Sequence, residues 1–215
     1  MTISCAERTD TKSISSGEII NLPEPALDSD HSIEQALQNR RSVRRYSDNP
    51  VDLQAVSQIL WSAQGITHED RGYKTAPSAG ATFPLEIYAA VGNVEGLSAG
   101  LYHYVPDNHH LVKIHNQDLR AELSSAALRQ TSIRDGAFVV IIAAIFERTT
   151  GRYGERGIKY VHMEVGHVGQ NIHLQAESLG LGTVVIGAFN DEEMKRVLDL
   201  PPDQIPLYLM PLGHK

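Results

Sequence analysis

The pattern of apolar and polar positions in the first third of the chain predicts two helices. Ser32 and Gln35 have the spacing of a capping box, and the apolar positions that follow predict a short helix to about Arg40. A second helix is predicted between Asp52 and Gly65, because its apolar residues form one stripe at helical spacing. That stripe consists of Leu53, Val56, Ile59, Leu60 and Ala63.

Strand patterns dominate the middle of the chain and return near its end. The run "AFVVIIAAIF" is apolar and rich in β-branched residues, which predicts a strand buried on both faces. Two segments around residues 106–108 predict a hairpin, because turn-forming Pro, Asp and Asn separate them. The predicted strands are "LEIYAAV", the hairpin pair "GLYHYV" and "HLVKIH", the buried run, "TVVIGAF" and "IPLYLMPLG".

Helical spacing also covers three later segments. "DLRAELSSAALRQ" and "DEEMKRVLDL" predict helices, and residues 153–179 contain no proline and predict one long helix. Gly166 and Gly169 are three positions apart in that helix, which favours close packing against another backbone at a subunit contact. Helices and hairpins do not alternate as regular βαβ units, so the sequence predicts an α+β layer fold.

Composition restricts the class of protein. A chain of 215 residues with 41% hydrophobic content is long enough for one domain, which we expect over residues 19–215 after a flexible leader at 1–18. The net charge of -7 and the absence of a long basic face argue against nucleic acid and anionic membranes as partners. No segment has membrane-spanning length, and Cys5 is the single cysteine, which favours a reducing, cytoplasmic location.

The segment "RRSVRRY" concentrates positive charge in an acidic chain. Arg40, Arg41, Arg44 and Arg45 lie within six positions, with Ser42 among them. One interpretation is that the first arginines complement the C-terminal dipole of the preceding helix and the others are solvated. The other is an anion site, because guanidinium groups and a hydroxyl match the oxygens of a phosphate. Charge patterning alone favours neither interpretation.

Two segments of small residues indicate a place where a ligand can approach the backbone. Residues 77–82 precede a strand, and Gly187 interrupts a strand pattern. Gly180 and Gly182 are also explained as helix C-cap glycines. Both segments could form the walls of one slot for a planar ring system.

A metal site on the long helix is less favoured. Glu164 and His167 have the i, i+3 spacing of half of a dimetal site, but no second copy of that spacing lies on a facing helix. Buried hydrogen bonds between helices are the favoured explanation of these polar residues, because one such pair arises easily by chance among ten histidines. We therefore predict no metal ligands.

Four blocks in chain order resemble the nitroreductase-like flavoprotein superfamily, and most closely its SagB-type thiazoline/oxazoline dehydrogenase branch. The blocks are "NRRSVRRYSDNPV", "TAPSAGATFPLEIY", "IKYVHMEVGHVGQNIHLQAESLGLG" and "TVVIGAF". The resemblance covers roughly residues 19–215. It implies an α+β fold with a central, mostly antiparallel sheet flanked by helices, in an intertwined homodimer with FMN at each subunit interface.

The same resemblance implies roles for individual residues. The FMN phosphate and ribityl chain would be held by Arg40, Arg41 and Ser42, and the N1/O2 edge of the flavin would face Arg44. The partner subunit would supply Pro77, Ser78, Ala79 and Gly80 beside the isoalloxazine. The ring near N5 would be lined by Val185, Ile186, Gly187 and Ala188. A catalytic pair is implied at Lys159 and Tyr160, and Lys215 is the expected substitute for basic contacts that ordinary nitroreductases take from a longer C-terminal tail.

The implied function is an FMN-dependent oxidoreductase that transfers hydride through flavin N5 on a small or peptide-derived substrate. "PSAGATFP" lacks the Asn and Gln found in the matching stretch of many nitroreductases, which argues against nitroaromatic or quinone reduction as the natural activity. An NAD(P)H-dependent nitro or quinone reductase is the alternative enzyme. A non-enzymatic metal-binding or structural helical dimer is the alternative from another class.

Overall fold

The computed structural model describes residues 17–215, and its centre is a seven-stranded sheet. Every neighbouring pair of strands in this sheet is antiparallel, which confirms the predicted sheet type. In spatial order the strands are β1 (Ile19–Asn21), β8 (His110–His115), β7 (Gly100–Val105), β5 (Leu85–Val91), β9 (Phe138–Ala144), β11 (Ile205–His214) and β10 (Leu181–Thr183). Two short ribbons pair β2 (Val51–Asp52) with β6 (Val94–Glu95) and β3 (Ile66–His68) with β4 (Tyr73–Lys74).

Helices cover both faces of the sheet, so the fold is α+β in layers. One apolar core lies between the sheet and the second and sixth helices, and the other lies beneath the third, fourth and seventh helices. The helices are α1 (Ile33–Asn39), α2 (Leu53–Gln64), α3 (Arg120–Ala126), α4 (Thr131–Asp135), α5 (Glu147–Tyr153), α6 (Arg156–Ser178) and α7 (Asp191–Leu198).

The predicted signals for the first two helices are confirmed. The Ser32 hydroxyl accepts a hydrogen bond from the Gln35 amide, and the Gln35 side chain accepts one from the Ser32 amide. The Asp52 carboxylate accepts a 2.7 Å hydrogen bond from the Ala55 amide at the start of α2. These side chains satisfy amide groups that have no partner within the helix, and therefore fix where each helix begins.

The central strands β5 and β9 are buried on both faces, as the apolar run predicts for β9. Alternate residues point to opposite sides, so Ile87 and Ala89 join the core beneath α2 and α6. Their neighbours Tyr88 and Ala90 join the other core. Strands of this kind lose the alternation of polar and apolar residues because neither face meets water.

Two helix predictions were wrong in extent. The predicted long helix is confirmed as α6, but it begins three residues later than predicted, because Gly154 separates it from α5 with φ 57° and ψ −149°. This conformation is accessible mainly to glycine. The segment "DLRAELSSAALRQ" is helical only to Ala126, since Leu128 and Arg129 adopt left-handed φ angles of 57° and 60°.

The prediction of a continuous strand over "TVVIGAF" was also wrong. Pairing with β11 stops after Thr183 and resumes at one bridge between Ile186 and Leu209. Continuing the register of β10 along β11 places Val184 opposite Pro211, which has no amide hydrogen to donate. The ladder is therefore interrupted at 184–185, and Gly187 and Ala188 remain exposed beyond it.

The predicted leader falls almost entirely outside the described residues, which exclude positions 1–16. Glu18, the last residue of that prediction, accepts a 2.9 Å backbone hydrogen bond from Lys113 next to β1. Among residues 17–215, no helix is both long enough and apolar enough to cross a membrane.

Candidate active site

Two distant parts of the sequence meet at the outer edge of β10. Ser42 forms a parallel β-bridge with Thr183, and the Val43 amide donates a 2.8 Å hydrogen bond to the Thr183 carbonyl. The bridge joins the arginine-rich segment 40–46 to the interrupted segment 184–188. The structure therefore brings together two groups of residues that the sequence predicts to bind one ligand.

The arginines of this segment differ in their surroundings. Arg41 donates to the carbonyl groups of Gln38 and Arg40, so it caps the end of α1 as the dipole interpretation predicts. Arg40 is half-buried and has no ion pair among the described residues. Arg44 is exposed and likewise makes no described ion pair, which leaves both guanidinium groups available to an anion.

His173 in α6 lies close enough to the arginine segment for the charge of Arg40 to affect its pKa. Burial, and to a smaller extent the charge of Arg40, lower the pKa of His173 to about 4. A neutral imidazole beside an unpaired guanidinium leaves the local charge positive at neutral pH. His173 was not predicted as part of the site, since no motif distinguishes it from the other histidines of the chain.

Tyr46 holds the arginine segment against the sheet and, like His173, was not among the predicted site residues. Its hydroxyl lies 2.8 Å from the carbonyl oxygen of Val43 and 3.1 Å from that of Pro211. Burial raises the pKa of Tyr46, so the hydroxyl remains a hydrogen-bond donor at all physiological pH values. The two carbonyl groups come from residues far apart in sequence, so no local sequence pattern predicts that one hydroxyl lies beside both of them.

Beside this tie, the interrupted segment presents backbone and small side chains. Val185 is half-buried, Ile186 is buried, and Gly187 and Ala188 are exposed. A Cβ on Gly187 would lie 3.4 Å from the ring of Tyr208, so the backbone at this point rests against an aromatic side chain. The Thr183 hydroxyl is buried and has no hydrogen-bond partner among residues 17–215.

Lys215 reaches the same end of the sheet. Its ammonium lies 2.6 Å from the Glu177 carboxylate near the end of α6, and His214 accepts a hydrogen bond from the Ser47 amide. In the single chain the predicted phosphate contact is therefore already engaged in an ion pair. The Lys215 side chain is 39% exposed in this ion pair. Replacing Glu177 by another anionic partner of Lys215 would therefore cost little free energy.

The predicted loop 77–80 lies elsewhere, beside α5. Gly80 has φ 61° and Phe83 has φ 42°, an unusual angle for an aromatic residue. The Phe83 amide donates to the Ser78 hydroxyl, and its carbonyl accepts from Arg148. Arg152 donates to the Gly80 carbonyl over 2.9 Å. These contacts hold the loop in a costly conformation, and such backbone strain is concentrated at ligand sites.

The predicted catalytic pair is near this loop. The ring of Tyr160 packs edge to face on Tyr153 with centroids 5.1 Å apart. A Cβ on Gly80 would lie 2.5 Å from the Tyr153 hydroxyl, so Tyr153 links the loop to Tyr160. Lys159 is exposed in the single chain. Burial of its amine therefore requires a second subunit.

Glu164 lies behind the same loop. Glu164 is 2% exposed, and its burial raises its pKa to about 7. The Ser78 hydroxyl, the charge of Lys74 and the Gln64 amide act in the opposite direction and only partly offset the effect of burial. His167, its predicted metal-site neighbour, is exposed. No group of three or more His, Cys, Asp or Glu side chains within residues 17–215 is arranged to hold a metal ion.

The predicted site residues thus form two separate groups within one chain. Arg40 lies near His173 of α6, whereas Ser78 lies near Glu164, nine residues earlier in that helix. Nine residues correspond to about 13 Å along the axis and about half a turn around it. One chain therefore holds the arginine group and the loop on opposite sides of α6.

Comparison with known proteins agrees with this architecture. The sequence profile described as "Nitroreductase family" matches residues 37–214. The chain belongs to the nitroreductase family. The match includes the arginine group, the strained loop and the interrupted strand, so the nitroreductase assignment covers both halves of the candidate site.

Individual relatives differ in what their names describe. The nitroreductase-family chain is 52% identical over 183 residues to MJ1384 of Methanocaldococcus jannaschii, which carries a nitroreductase name, with 85% of this chain and 91% of the relative covered. It is 33% identical over 134 residues to the trifolitoxin-processing protein TfxB of Rhizobium leguminosarum bv. trifolii. That match covers 60% of this chain and 36% of TfxB.

A solved structure supports the fold. A crystal structure of a protein from Ralstonia eutropha JMP134 that carries a nitroreductase name superposes with a TM-score of 0.82 at 28% identity. The superposition covers 93% of this chain and 90% of the other. The nitroreductase fold is therefore shared over nearly the full length of both proteins, and the chain is a nitroreductase-family oxidoreductase.

Proposed function

We propose that this chain is a cytoplasmic, FMN-dependent oxidoreductase that works as a homodimer and transfers hydride in the manner of the SagB-type dehydrogenases. The observation that carries the proposal is the Ser42–Thr183 bridge. It sets unpaired arginine side chains beside an exposed, glycine-bearing stretch of backbone. A phosphate at one end and a planar ring at the other would use both features.

The arginine group fits the phosphate end of FMN. Arg40 makes no described ion pair, Ser42 is exposed, and the guanidinium of Arg41 lies at the end of α1. Guanidinium groups bind phosphate oxygens through two parallel hydrogen bonds, so their geometry suits this ligand better than lysine. The buried Thr183 hydroxyl, which lacks a partner within the described chain, adds a polar group at this edge.

The interrupted segment fits the ring end. Gly187 and Ala188 leave the surface low enough for a flat group to lie against the backbone, and Val185 supplies apolar contact. When bound, FMN supplies hydride transfer through its N5 atom. Arg44 would stabilise negative charge at the N1/O2 edge, which is an electrostatic contribution of the protein rather than redox chemistry.

The second group of residues would come from the partner subunit. Pro77 and Gly80 are exposed, and the intervening Ser78 and Ala79 are half-buried, in a loop whose own chain holds it on the far side of α6. A complete site therefore needs loop 77–80 from another copy. This requirement supports the homodimer, because two copies related by a two-fold axis complete two identical sites.

Lys159 and Tyr160 would act on the substrate rather than hold the FMN. Tyr160 is placed by Tyr153, which also contacts the loop at Gly80. A dehydrogenase needs a group that accepts a proton when hydride leaves the substrate, and Tyr160 or Lys159 could hold it once the second subunit buries them. The relationship to TfxB, named for trifolitoxin processing, supports a peptide-derived substrate.

The alternative is an NAD(P)H-dependent nitro or quinone reductase, which the nitroreductase name of MJ1384 supports. Anaerobic addition of NADH or NADPH to the purified, FMN-loaded protein separates the two activities. Rapid bleaching of the flavin band favours the reductase, and an unchanged spectrum favours the dehydrogenase.

The cofactor is tested by the absorption spectrum of the purified protein before and after dialysis against FMN. A band at about 450 nm that remains after gel filtration supports the proposal. A colourless protein that takes up no FMN at micromolar concentration would contradict it. Sedimentation in the same buffer tests the homodimer independently of the cofactor.

A further inference from the structure

A small cavity behind the strained loop is lined by charged and polar side chains that the proposed function does not use. It has a volume of about 240 Å³ and lies between the end of α2, strand β4, the sheet and α5. Its polar lining is formed by Gln64, Lys74, Glu86, His103, Asp107 and Arg148.

Part of this lining is already satisfied within the protein. The carboxylate of Glu86 lies 2.6 Å from the Arg148 guanidinium and 2.7 Å from the His103 ring. These contacts lower the pKa of Glu86 against the effect of its burial, so the carboxylate is ionised and paired. The pair of Glu86 and Arg148 contributes no net charge to the cavity.

Two other side chains lack partners. Gln64 is 1% exposed, and among the described residues neither its amide nitrogen nor its oxygen makes a hydrogen bond of normal geometry, although its amide lies near enough to the Glu164 carboxyl to lower the pKa of that group. Buried amide groups are nearly always paired, so an unpaired one indicates a missing ligand or water. The Lys74 ammonium lies 4.8 Å from the centroid of the Phe83 ring and makes no ion pair or hydrogen bond with residues 17–215.

The charge of Lys74 favours an anion over water as the occupant of the cavity. Burial lowers the pKa of Lys74, and the charge of Arg148 lowers it as well, whereas the carboxylates of Asp107, Glu86 and Glu164 raise it. Asp107 is exposed at the edge of the cavity, where solvent screens it. Water would pair the Gln64 amide, but no carboxylate among residues 17–215 makes an ion pair with the ammonium, and an anion would supply that contact.

The geometry points to a binding site in this cavity for a small monocarboxylate that carries a neutral hydrogen-bonding substituent. The carboxylate would meet Lys74, and the substituent would pair with both ends of the Gln64 amide. The volume equals that of about eight water molecules, which limits the ligand to roughly eight non-hydrogen atoms. The proposal does not depend on the flavin site, because none of these residues belongs to it.

The test is isothermal titration calorimetry of the purified full chain with sodium L-lactate at pH 7.5 and constant ionic strength. We expect saturable binding that weakens about tenfold in Lys74→Met and about threefold or more in Gln64→Leu. Lys195→Met, in α7 and outside the cavity, is the matched control and should bind as the wild type does. Arg40→Ala should also bind normally, which would exclude attachment at the arginine segment.

Other probes define the ligand class. Lactamide lacks the charge and should bind about tenfold more weakly than lactate. Propionate lacks the hydroxyl and should no longer respond to Gln64→Leu. Nitrate binding as tight as that of lactate would overturn the assignment to a carboxylate.

Two results would overturn the site itself. One is the absence of saturable heat with either carboxylate, which would mean that the cavity holds water only. The other is lactate binding that neither Lys74→Met nor Gln64→Leu weakens. Circular dichroism confirms that the variants are folded. Gln64→Leu removes two unpaired polar atoms and should melt at a higher temperature than the wild type, so the test survives if Lys74→Met fails to fold.

Discussion

Ser42 and Thr183 lie side by side in a parallel β-bridge, although 141 positions separate them in the sequence. The Val43 amide, next to Ser42, donates to the Thr183 carbonyl over 2.8 Å. The bridge fixes where the arginine segment begins relative to the interrupted strand. Substitutions on either side of it should therefore affect the same ligand.

Replacing Arg40 by alanine tests the phosphate end. We expect FMN affinity to fall by about 1.5 to 3 kcal/mol, or roughly tenfold to a hundredfold, because a charge-assisted contact is lost. Equilibrium dialysis of the apoprotein with FMN measures the change. Arg45→Ala is the control, since Arg45 belongs to the same segment without an assigned role. Equal affinity in the Arg40 variant and the wild type would exclude Arg40 from the phosphate site.

Replacing Gly187 by valine tests the ring end. Gly187 has φ in a range open to other residues, and a Cβ would meet Tyr208 at 3.4 Å, which is an ordinary contact. The fold should therefore tolerate the substitution, whereas the added methyl groups would occupy space proposed for the flavin. We expect FMN occupancy to fall with a small change in melting temperature. Full occupancy of the variant would show that the ring lies elsewhere.

Local rules predicted most of the fold but failed where two distant segments set the outcome. The capping groups Ser32 and Asp52 are local, and both helices begin where these residues indicate. The break in "TVVIGAF" depends on Pro211 opposite Val184, which becomes visible only when the strand register is known. Gly154 was equally ambiguous, since glycine within a helical pattern can remain helical or end the helix.

The candidate site was predicted as a set of residues rather than as an arrangement. The resemblance places Arg40 of one subunit and Gly80 of the other in one pocket, and a single chain holds their groups on opposite sides of α6. Tyr46 is linked to the arginine group by a hydrogen bond and His173 by the charge of Arg40, and no local sequence pattern predicts either contact. Lys215 was expected at a phosphate, and its ion pair with Glu177 depends on the end of β11 meeting the end of α6.

Gly182 should be intolerant of even a small side chain. A Cβ there would lie 2.6 and 2.7 Å from atoms of Val43, so the arginine segment would have to move away from β10. We expect Gly182→Ala to lower both the melting temperature and FMN affinity. Gly169→Ala is the matched control, because its Cβ would meet Tyr208 and Val185 at an ordinary 3.7 Å. Differential scanning fluorimetry with and without FMN measures both effects.

Glu164 should make stability depend on pH. Burial raises its pKa in the folded protein to about 7, whereas the unfolded chain has an ordinary glutamate pKa of about 4.3. Between these values the folded state binds more protons than the unfolded state, so the contribution of Glu164 to stability falls as pH rises. Above pH 7 the loss is complete, and below the unfolded pKa it is absent.

Glu164→Gln removes this dependence. We expect the variant to be more stable than the wild type by about 1 to 3 kcal/mol at pH 8, and the difference to shrink toward pH 5. Urea unfolding at both pH values measures it. His173 titrates in both proteins, so its contribution cancels from the difference. A difference that stays constant with pH would show that Glu164 is not the group responsible.

Substitution of Gly166 tests whether α6 lies at a subunit contact. It is exposed, and a Cβ there would have no atom within 4 Å in its own chain, so the monomer should accept a larger residue. If another backbone packs against it, Gly166→Leu should weaken dimerisation about tenfold or more, as substitutions at the centre of an interface do. Sedimentation equilibrium measures the dissociation constant.

Two further variants separate an interface effect from a change in helix stability. Gly151→Leu alters another helical glycine with open space around it, in α5, and should leave the dissociation constant near the wild-type value. Gly166→Ala should stabilise an isolated subunit by up to about 1 kcal/mol through helix propensity, while weakening the dimer less than leucine does. If Gly166→Leu raises the melting temperature and leaves the association unchanged, this face of α6 is open to solvent and the contact lies on another surface.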